Sequence, residues 1–351
     1  MDALALNGAF YIGGIVSGRG EWAEPLDDHW MEHGMNRYRS RCPRAAIWAM
    51  VLVACTGAVA AAPAPAARAE GTVDLALDVT NVVIAPGGTG QQEFTVSNLG
   101  TRATKAASRL IYVTPVYINF ASVPSGCVRR LENPDPLVPQ IAECTVPAGL
   151  EPGETFTVIF NLSATPTNLA GTSYGDAIVS PDITVDPESN FSDNVNVPDA
   201  GIRQPKPPAV TGRVSNVYLA FTTPALAPGK TTLKQFTIGN EGPSATVDPV
   251  RLVFATPFFV NFADVPLPLG CTLLLDDNDP LIPQVVECRR TLPLPAGLEQ
   301  VYDLALTAVR GGPSGMVCGP AVASESKPGY SSTQDPSVID NVLNSCVNEL
   351  P

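Results

Sequence analysis

The chain has almost no histidine or tryptophan, and both residue types stop early. The two histidines are His29 and His33, and no tryptophan follows Trp48. Nucleophilic sites of the Ser-His-Asp and Cys-His types and the commonest zinc sites depend on histidine. Paired carboxylates could still serve a glycosidase, but the acidic residues lie in turns with no organising motif. The sequence therefore predicts a protein that is not an enzyme and has no catalytic residues.

Basic charge is also scarce. From Glu70 onward the chain has 15 Lys and Arg residues against 28 Asp and Glu residues, a net charge of −13. Nucleic-acid binding requires clustered positive charge, so this partner is excluded. No apolar run after residue 62 is long enough to span a bilayer. Membrane contact is therefore expected only through a lipid anchor or an uncleaved signal.

What is present near the start is the pattern of a secretory signal peptide. Four arginines within residues 37–44 precede an apolar stretch from Ala45 to Ala62, and "ARA" then precedes Glu70. A basic end, an apolar core and a small-residue cleavage site are typical of signal peptides. We predict a signal peptide over residues 35–69 and an extracellular or cell-envelope location. Residues 1–34 are interpreted as an extension from a mis-assigned start codon.

A second cleavage is possible within the same region. "LVAC", residues 52–55, resembles the lipobox of bacterial lipoproteins, in which Cys55 would become the lipidated first residue. A lipidated N-terminus would tether the protein to a membrane.

The rest of the chain contains an internal repeat. "RLIYVTPVYINFASVP" at 109–124 aligns with "RLVFATPFFVNFADVP" at 251–266, a shift of 142. "GCVRRLENPDPLVPQIAEC" at 126–144 aligns with "GCTLLLDDNDPLIPQVVEC" at 270–288, a shift of 144. We therefore predict two homologous domains, here called the first repeat (71–200) and the second repeat (211–351). A proline-rich linker, 201–210, would join them.

Apolar residues within each repeat recur at every second position. Examples are Val73, Leu75 and Leu77 in the first repeat, and Tyr302 and Leu304 in the second. This period places one face of a strand on a core. The runs are short and bounded by Pro, Gly, Asn and Asp, and no amphipathic helix stands out. The predicted fold is all-β, with two tandem immunoglobulin-like β-sandwich domains after a cleaved signal peptide.

Six cysteines follow the signal peptide, and an even number in an exported protein indicates disulfides. The spacing of 17 residues occurs in both repeats, so the expected pairs are Cys127–Cys144 and Cys271–Cys288, each across a proline-rich loop or an irregular hairpin. Cys318 and Cys346 would join the last strands of the second repeat. A metal site is disfavoured because the sequence has no CxxC pair and no downstream histidine.

The most specific text lies at the start and end of each repeat. A V-x-N-x-G pattern appears as Val96 to Gly100 and, with Ile first, as Ile238 to Gly242; a late Asp-Asn turn appears at 186–194 and 335–341. These motifs resemble the immunoglobulin-like repeats of bacterial surface proteins, including the conserved surface repeat known as domain of unknown function eleven and the cell-adhesion-related bacterial domain, CARDB. The resemblance implies a non-catalytic, extracellular protein with tandem domains.

Acidic residues in the cysteine-bounded loop and the late turns form a candidate calcium site, because calcium prefers oxygen ligands. The candidates are Asp276, Asp277, Asp279, Asp186, Asp193, Asp335 and Asp340. The alternative is that these side chains bond their own backbone in Asx turns. No other cofactor is expected.

Three further pairs of equivalent residues carry structural expectations. Asn98 with Gly100, and Asn240 with Gly242, predict tight turns with positive φ at glycine. Arg109 is repeated as Arg251, which indicates a structural ion pair in each repeat.

The functional prediction is a non-catalytic secreted or cell-envelope protein of a bacterium that serves in adhesion, spacing or binding. Its partner would be a protein or a glycan at the cell surface. One alternative is a lipid-anchored envelope receptor or assembly protein. Another is a calcium-dependent carbohydrate-binding protein.

Overall fold

The computed structural model describes residues 71–165, 171–188, 190–202, 214–309, 315–325 and 341–349. All of them lie within one compact unit, residues 67–351. Across these ranges the chain forms mainly β-strands, and Phe191–Asp193 form a 3-10 turn. None of the described segments is a helix long and apolar enough to cross a membrane. The all-β prediction is confirmed.

The first repeat forms three sheets. In spatial order, one contains Leu75–Val79 (β1), Thr89–Asn98 (β3), Thr155–Ala164 (β8) and Ile118–Ser122 (β5). The second contains Val195–Asn196 (β11), Asp176–Ser180 (β10), Ser108–Val113 (β4), Ile141–Val146 (β7) and Cys127–Leu131 (β6). The third contains Val82–Ile84 (β2), Asp199–Ile202 (β12) and Gly171–Tyr174 (β9). The last two residues of β12, Gly201 and Ile202, pair with β2 and β9, so the sheet includes the first two residues of the predicted linker.

The second repeat forms two sheets with the same core order. One contains Val217–Phe221 (β13), Thr231–Asn240 (β15), Glu299–Ala308 (β20) and Val260–Phe262 (β17). The other contains Ala225–Leu226 (β14), Val342–Glu349 (β22), Gly315–Glu325 (β21), Pro249–Ala255 (β16), Val285–Pro293 (β19) and Cys271–Leu275 (β18).

Aromatic rings fill the space between the two main sheets of each repeat. Phe94 on β3 and Phe160 on β8 pack against Tyr112 on β4, with ring centroids 4.6 and 5.1 Å from the tyrosine. In the second repeat Phe236 on β15 packs against Phe254 on β16 at 4.8 Å. All five side chains are completely buried. Each repeat is therefore a β-sandwich whose core is made by the inward-facing residues of both sheets.

The Asn-Gly turns differ from the prediction. The side chain of Asn98 closes the turn, because its Nδ2 donates to the carbonyl oxygens of Arg102 and Leu150 and its Oδ1 accepts from the Gly100 N–H. Gly100 is not among the positive-φ residues, so the predicted conformation is wrong. Glycine is needed there because a Cβ would collide with the Thr72 carbonyl oxygen. The Asn240 turn is built in the same way.

Candidate functional site

The two sandwiches pack against each other through the outer faces of the β4 and β16 sheets. Tyr112 and Phe254 face their own sandwich cores, so their neighbours in the strand point to the opposite faces. Those neighbours, Ile111 and Val113 on β4 and Val253 and Ala255 on β16, are buried in one apolar cluster. The outer faces of the two sheets are therefore joined in a shared apolar interface.

Two reciprocal ion pairs flank this interface. Arg109 Nη1 lies 2.6 Å from Asp279 Oδ2, and Arg251 Nη2 lies 2.7 Å from Asp135 Oδ1. Arg109 and Arg251 are equivalent in the repeat, as are Asp135 and Asp279. Each arginine thus binds the aspartate of the other repeat, which is the pattern of an isologous interface with approximate two-fold symmetry. The predicted arginine ion pairs are present within the repeats, as Arg109–Glu143 and Arg251–Glu287. Each arginine in addition joins its repeat to the other one through the aspartate.

The two halves of the interface differ in exposure. The Arg251 side chain is 1% exposed and also lies 2.9 Å from Glu287 Oε1. Burial acts to lower the pKa of Arg251, but the hydrogen bonds and charges of Asp135 and Glu287 outweigh it and raise the pKa. Burial likewise acts to raise the pKa of Asp135, and its bonds from Arg251 and Leu137 outweigh this and lower it. The Arg251 guanidinium in this half of the interface is therefore shielded from solvent.

The other half is open to solvent. The Arg109 and Asp279 side chains are 31% and 30% exposed. Arg109 Nε also donates to Glu143 Oε1 at 2.5 Å, and Arg130 Nε donates to Glu143 Oε2 at 2.6 Å. The Arg109 guanidinium is therefore held in place from both repeats while one side of it remains accessible.

A cleft of about 380 Å³ opens beside Arg109, between the repeats. This volume is in the range of small ligand sites. Its lining combines apolar side chains with three charged ones: Ala107, Arg109, Ser180, Pro181, Asp182, Ile183, Phe191, Phe259, Asp279, Pro280 and Leu281. The rings of Phe191 and Phe259 meet edge to face, with centroids 6.5 Å apart. The described residues thus provide a pre-formed concave site with an aromatic wall and a charged edge.

Phe259 is held at the cleft in an unusual backbone conformation. Its φ is 61°, and the equivalent Tyr117 has a φ of 66°. Each is the third residue of a turn in which the residue after it donates to a proline carbonyl, Pro257 or Pro115. This position normally favours glycine. Bulky residues in such conformations persist only where surrounding contacts hold them, and they cluster at functional sites.

The structure joins the six cysteines in the expected pairs. Cys127 is bonded to Cys144 and Cys271 to Cys288, each across a hairpin in which the two cysteines are directly opposite. Cys318 and Cys346 are bonded between β21 and β22. The prediction of a loop or irregular hairpin resolves to a hairpin, with a register shift between Arg129 and Leu131 in the first repeat.

The aspartates of the second cysteine-bounded loop bond within the protein. Asp276 Oδ1 accepts from Gln284 Nε2, and Asp277 Oδ1 accepts from the Asp279 N–H. Asp279 Oδ1 accepts from the Leu281 N–H, and its Oδ2 pairs with Arg109. In the described ranges no group of three or more His, Cys, Asp or Glu side chains is arranged to hold a metal ion. The bonds that Asp277 and Asp279 accept from N–H groups two residues further on are those of Asx turns, and the calcium site stays a prediction.

The late-turn aspartates of the first repeat have different environments. Asp186 pairs with Arg102 Nη1 at 2.7 Å and accepts the N–H groups of Lys105 and Ala106. Burial acts to raise the pKa of Asp186, but these bonds outweigh it and lower it. Burial, with a smaller contribution from the Asp74 charge, raises the pKa of Asp193. Two calcium candidates, Asp335 and Asp340, and the lipidation candidate Cys55 lie outside the described residues.

The cleft residues Asp182 and Phe191 were not predicted from the sequence. Both lie in the first repeat with Arg109, where Ser180 on β10 is paired with Arg109 on β4. The packing of the repeats then adds Phe259 and Asp279 and completes the cleft. One pattern could have pointed to this packing. The strands "RLIYV" (109–113) and "AIVS" (177–180) are nearly continuous in apolar residues, which is typical of strands buried on both faces.

Together, the sheets define the class of the protein as two tandem immunoglobulin-like β-sandwiches. No protein-family model matches the chain, and no curated protein matches it. Among solved structures it is similar to the CARDB domain of the PF1109 protein from Pyrococcus furiosus, a structure in complex with di-metal ions. The identity is 18%, the match covers 38% of this chain and 90% of that chain, and the TM-score is 0.25. The predicted resemblance to CARDB domains thus recurs among the solved structures.

Two further structures show the range of similar proteins. A type I cohesin–dockerin complex from Clostridium thermocellum matches at 8% identity over 37% of this chain and 99% of that chain, with a TM-score of 0.28. AvmM, which catalyses macrocyclisation in alchivemycin A biosynthesis, matches at 18% identity over 39% and 89%, with a TM-score of 0.24. Likenesses at this level carry no functional conclusion, and the assignment of the fold class depends on the sheets of this chain.

Proposed function

We propose that this chain is an exported, non-catalytic binding module of the bacterial cell surface. The observation that carries the proposal is the pre-formed cleft between two sandwiches that are held together by an apolar interface and reciprocal ion pairs. The lack of histidine after residue 33 supports a role without catalysis. Three disulfides support an oxidising compartment outside the cytoplasm.

Export is tested by the intact mass of the protein from its native host, before and after reduction. We expect a chain that begins at Glu70 and gains about two mass units for each disulfide reduced. A lipid-bearing Cys55 at the start would identify the lipid-anchored alternative. A chain that retains residues 1–34 would contradict export by the predicted signal peptide.

Binding is tested with labelled protein, residues 70–351, added to cell envelopes of the native host. We expect saturable binding, and recovery of the bound partner with its mass unchanged, as a non-catalytic module requires. An unrelated acidic, disulfide-bonded protein is the control. Binding no greater than that of the control, or chemical change in the partner, would overturn the proposal.

A further inference from the structure

We infer that the cleft binds the cationic side chain of an arginine or lysine presented by a partner protein. This inference deepens the proposed binding function and depends on it only for the identity of the partner. It is carried by the charge balance around the cleft, by its aromatic wall and by the fixed geometry of its edge.

The charge balance at the cleft favours a cation. Arg109 and Arg130 share the carboxylate of Glu143, and Arg109 also pairs with Asp279. Asp182 adds a third carboxylate, and among the described residues no arginine or lysine pairs with it. Its Oδ1 accepts from the Thr184 N–H and hydroxyl, which fixes the carboxylate and leaves its Oδ2 for a ligand. The net charge of −13 would also steer a basic partner toward the protein.

The wall of the cleft suits the rest of such a side chain. Phe191 is partly exposed and meets the almost fully buried Phe259 edge to face, and an ammonium or guanidinium group is attracted to the face of an aromatic ring such as that of Phe191. Ile183, which is about half exposed, offers apolar surface for a methylene stem. A long basic side chain therefore matches both the apolar wall and the acidic edge.

The edge is fixed before binding. The Phe259 N–H donates to the Pro280 carbonyl oxygen at 2.7 Å, and Asp279 Oδ1 accepts from the Leu281 N–H at 3.0 Å. The aromatic ring and the carboxylate are thus held by one short segment, which reduces the ordering cost of binding. In the equivalent half the Arg251 side chain is buried, so its guanidinium is not open to a ligand as that of Arg109 is.

The test is a titration followed by saturation-transfer NMR, with protein 70–351 and capped tripeptides that carry arginine, norleucine or glutamate between two alanines. We expect only the arginine peptide to bind. Asp182→Asn and Phe191→Leu should each weaken binding by about three- to five-fold, whereas Asp264→Asn, an exposed acidic position outside the cleft, should not. Equal binding of the norleucine peptide, or equal effects of Asp182→Asn and Asp264→Asn, would overturn the inference.

Free n-butylguanidinium tests whether the ligand of the cleft is a side chain of a protein or a small organic cation. We expect it to bind more weakly than the arginine peptide, and an equal or higher affinity would mean that the ligand is a free cation. Failure of the cleft inference can be told apart from failure of the proposed function, because the envelope assay is repeated with Asp182→Asn. Unchanged envelope binding by this variant would contradict the cleft as the site but leave the binding function standing. Peptide binding without envelope binding would contradict only the proposed function.

Discussion

Positions 92 and 234 are equivalent, yet one carries glutamine and the other lysine. In the first repeat Gln92 Oε1 accepts from the Tyr112 hydroxyl and its Nε2 donates to the Thr80 carbonyl oxygen. In the second repeat phenylalanine replaces this tyrosine, and Lys234 Nζ donates to the carbonyl oxygens of Thr222 and Cys346. The two substitutions compensate each other, because the buried site in each repeat receives a polar group that its neighbours can bond.

The buried amine should make the stability of the protein depend on pH. Burial lowers the pKa of Lys234 to about 7. The unfolded chain, with a lysine pKa of about 10.4, binds more protons between these values, so the free energy of unfolding should rise as the pH increases from about 7 toward 10. Below pH 7 both states are protonated, so the contribution no longer changes.

The measurement is urea unfolding of the wild type and of Lys234→Met at several pH values from 7 to 9.5. The difference between their free energies should change by about 1 kcal/mol per pH unit. A difference that stays constant would contradict a lowered lysine pKa. Because the comparison is between two proteins, other titrating groups cancel.

The reciprocal ion pairs should contribute unequally to stability. Asp135→Asn leaves the buried Arg251 with only Glu287, and removing one partner of a buried pair costs about 3 kcal/mol or more. Asp279→Asn alters the exposed equivalent and should cost about 1 kcal/mol or less. Chemical unfolding of both variants measures the contrast, and equal losses would show that burial does not distinguish the two pairs.

Acid should remove part of this stabilisation. The pKa of Asp135 is lowered in the folded state, so its contribution is present above about pH 4 and is lost as the pH falls through the folded pKa. The free-energy difference between the wild type and Asp135→Asn should therefore shrink below about pH 4. A difference independent of pH would contradict this.

At the scale of elements, strands and disulfides followed closely from the sequence. The alternation of Val73, Leu75 and Leu77 matches their burial, because the two-residue period is a direct property of the strand. The repeated spacing of cysteines gave their pairing. The role of Gly100 did not follow, since its constraint comes from the carbonyl oxygen of Thr72, a residue 28 positions away. The sequence pattern thus predicted features set by neighbouring residues, such as strand alternation, but not a contact between distant parts of the chain.

The loop aspartates lead to an expectation about calcium. Asp276, Asp277 and Asp279 already accept hydrogen bonds from protein groups. A ligand that binds only the native state raises the melting temperature, and we expect excess calcium to leave it unchanged. The scan is run with calcium and with a chelator. A saturating rise in calcium would instead support the calcium-dependent carbohydrate-binding alternative.

At the scale of the whole molecule, the packing of the repeats was beyond the sequence prediction. Duplication indicated two domains joined by a proline-rich linker. The face-to-face contact depends on how well the two surfaces match in shape, and local sequence does not show this. Ala255, a small and completely buried residue on β16, is part of that contact. The candidate site could not be predicted from the sequence either, because the cleft exists only once the repeats are packed.

A single substitution in the interface should separate the two sandwiches. An arginine side chain cannot fit at Ala255, so Ala255→Arg should separate the sandwiches while each keeps its strands. Small-angle X-ray scattering should show a larger radius of gyration, with an unchanged far-UV circular dichroism spectrum. Leu233→Arg, at an exposed position of β15, is the control and should leave both unchanged. An unaltered radius in Ala255→Arg would contradict the shared interface.

All three disulfides join neighbouring strands of one sheet, and among the described residues none links two sheets or two repeats. Under a pulling force the sandwiches are free to come apart, but the chain between each pair of bonded cysteines cannot lengthen. Each 17-residue segment would withhold about 60 Å of extension, at about 3.5 Å per residue. As a tether, this protein would have a maximum reach set by the oxidation state of its surroundings, and reductant would release that length in discrete steps.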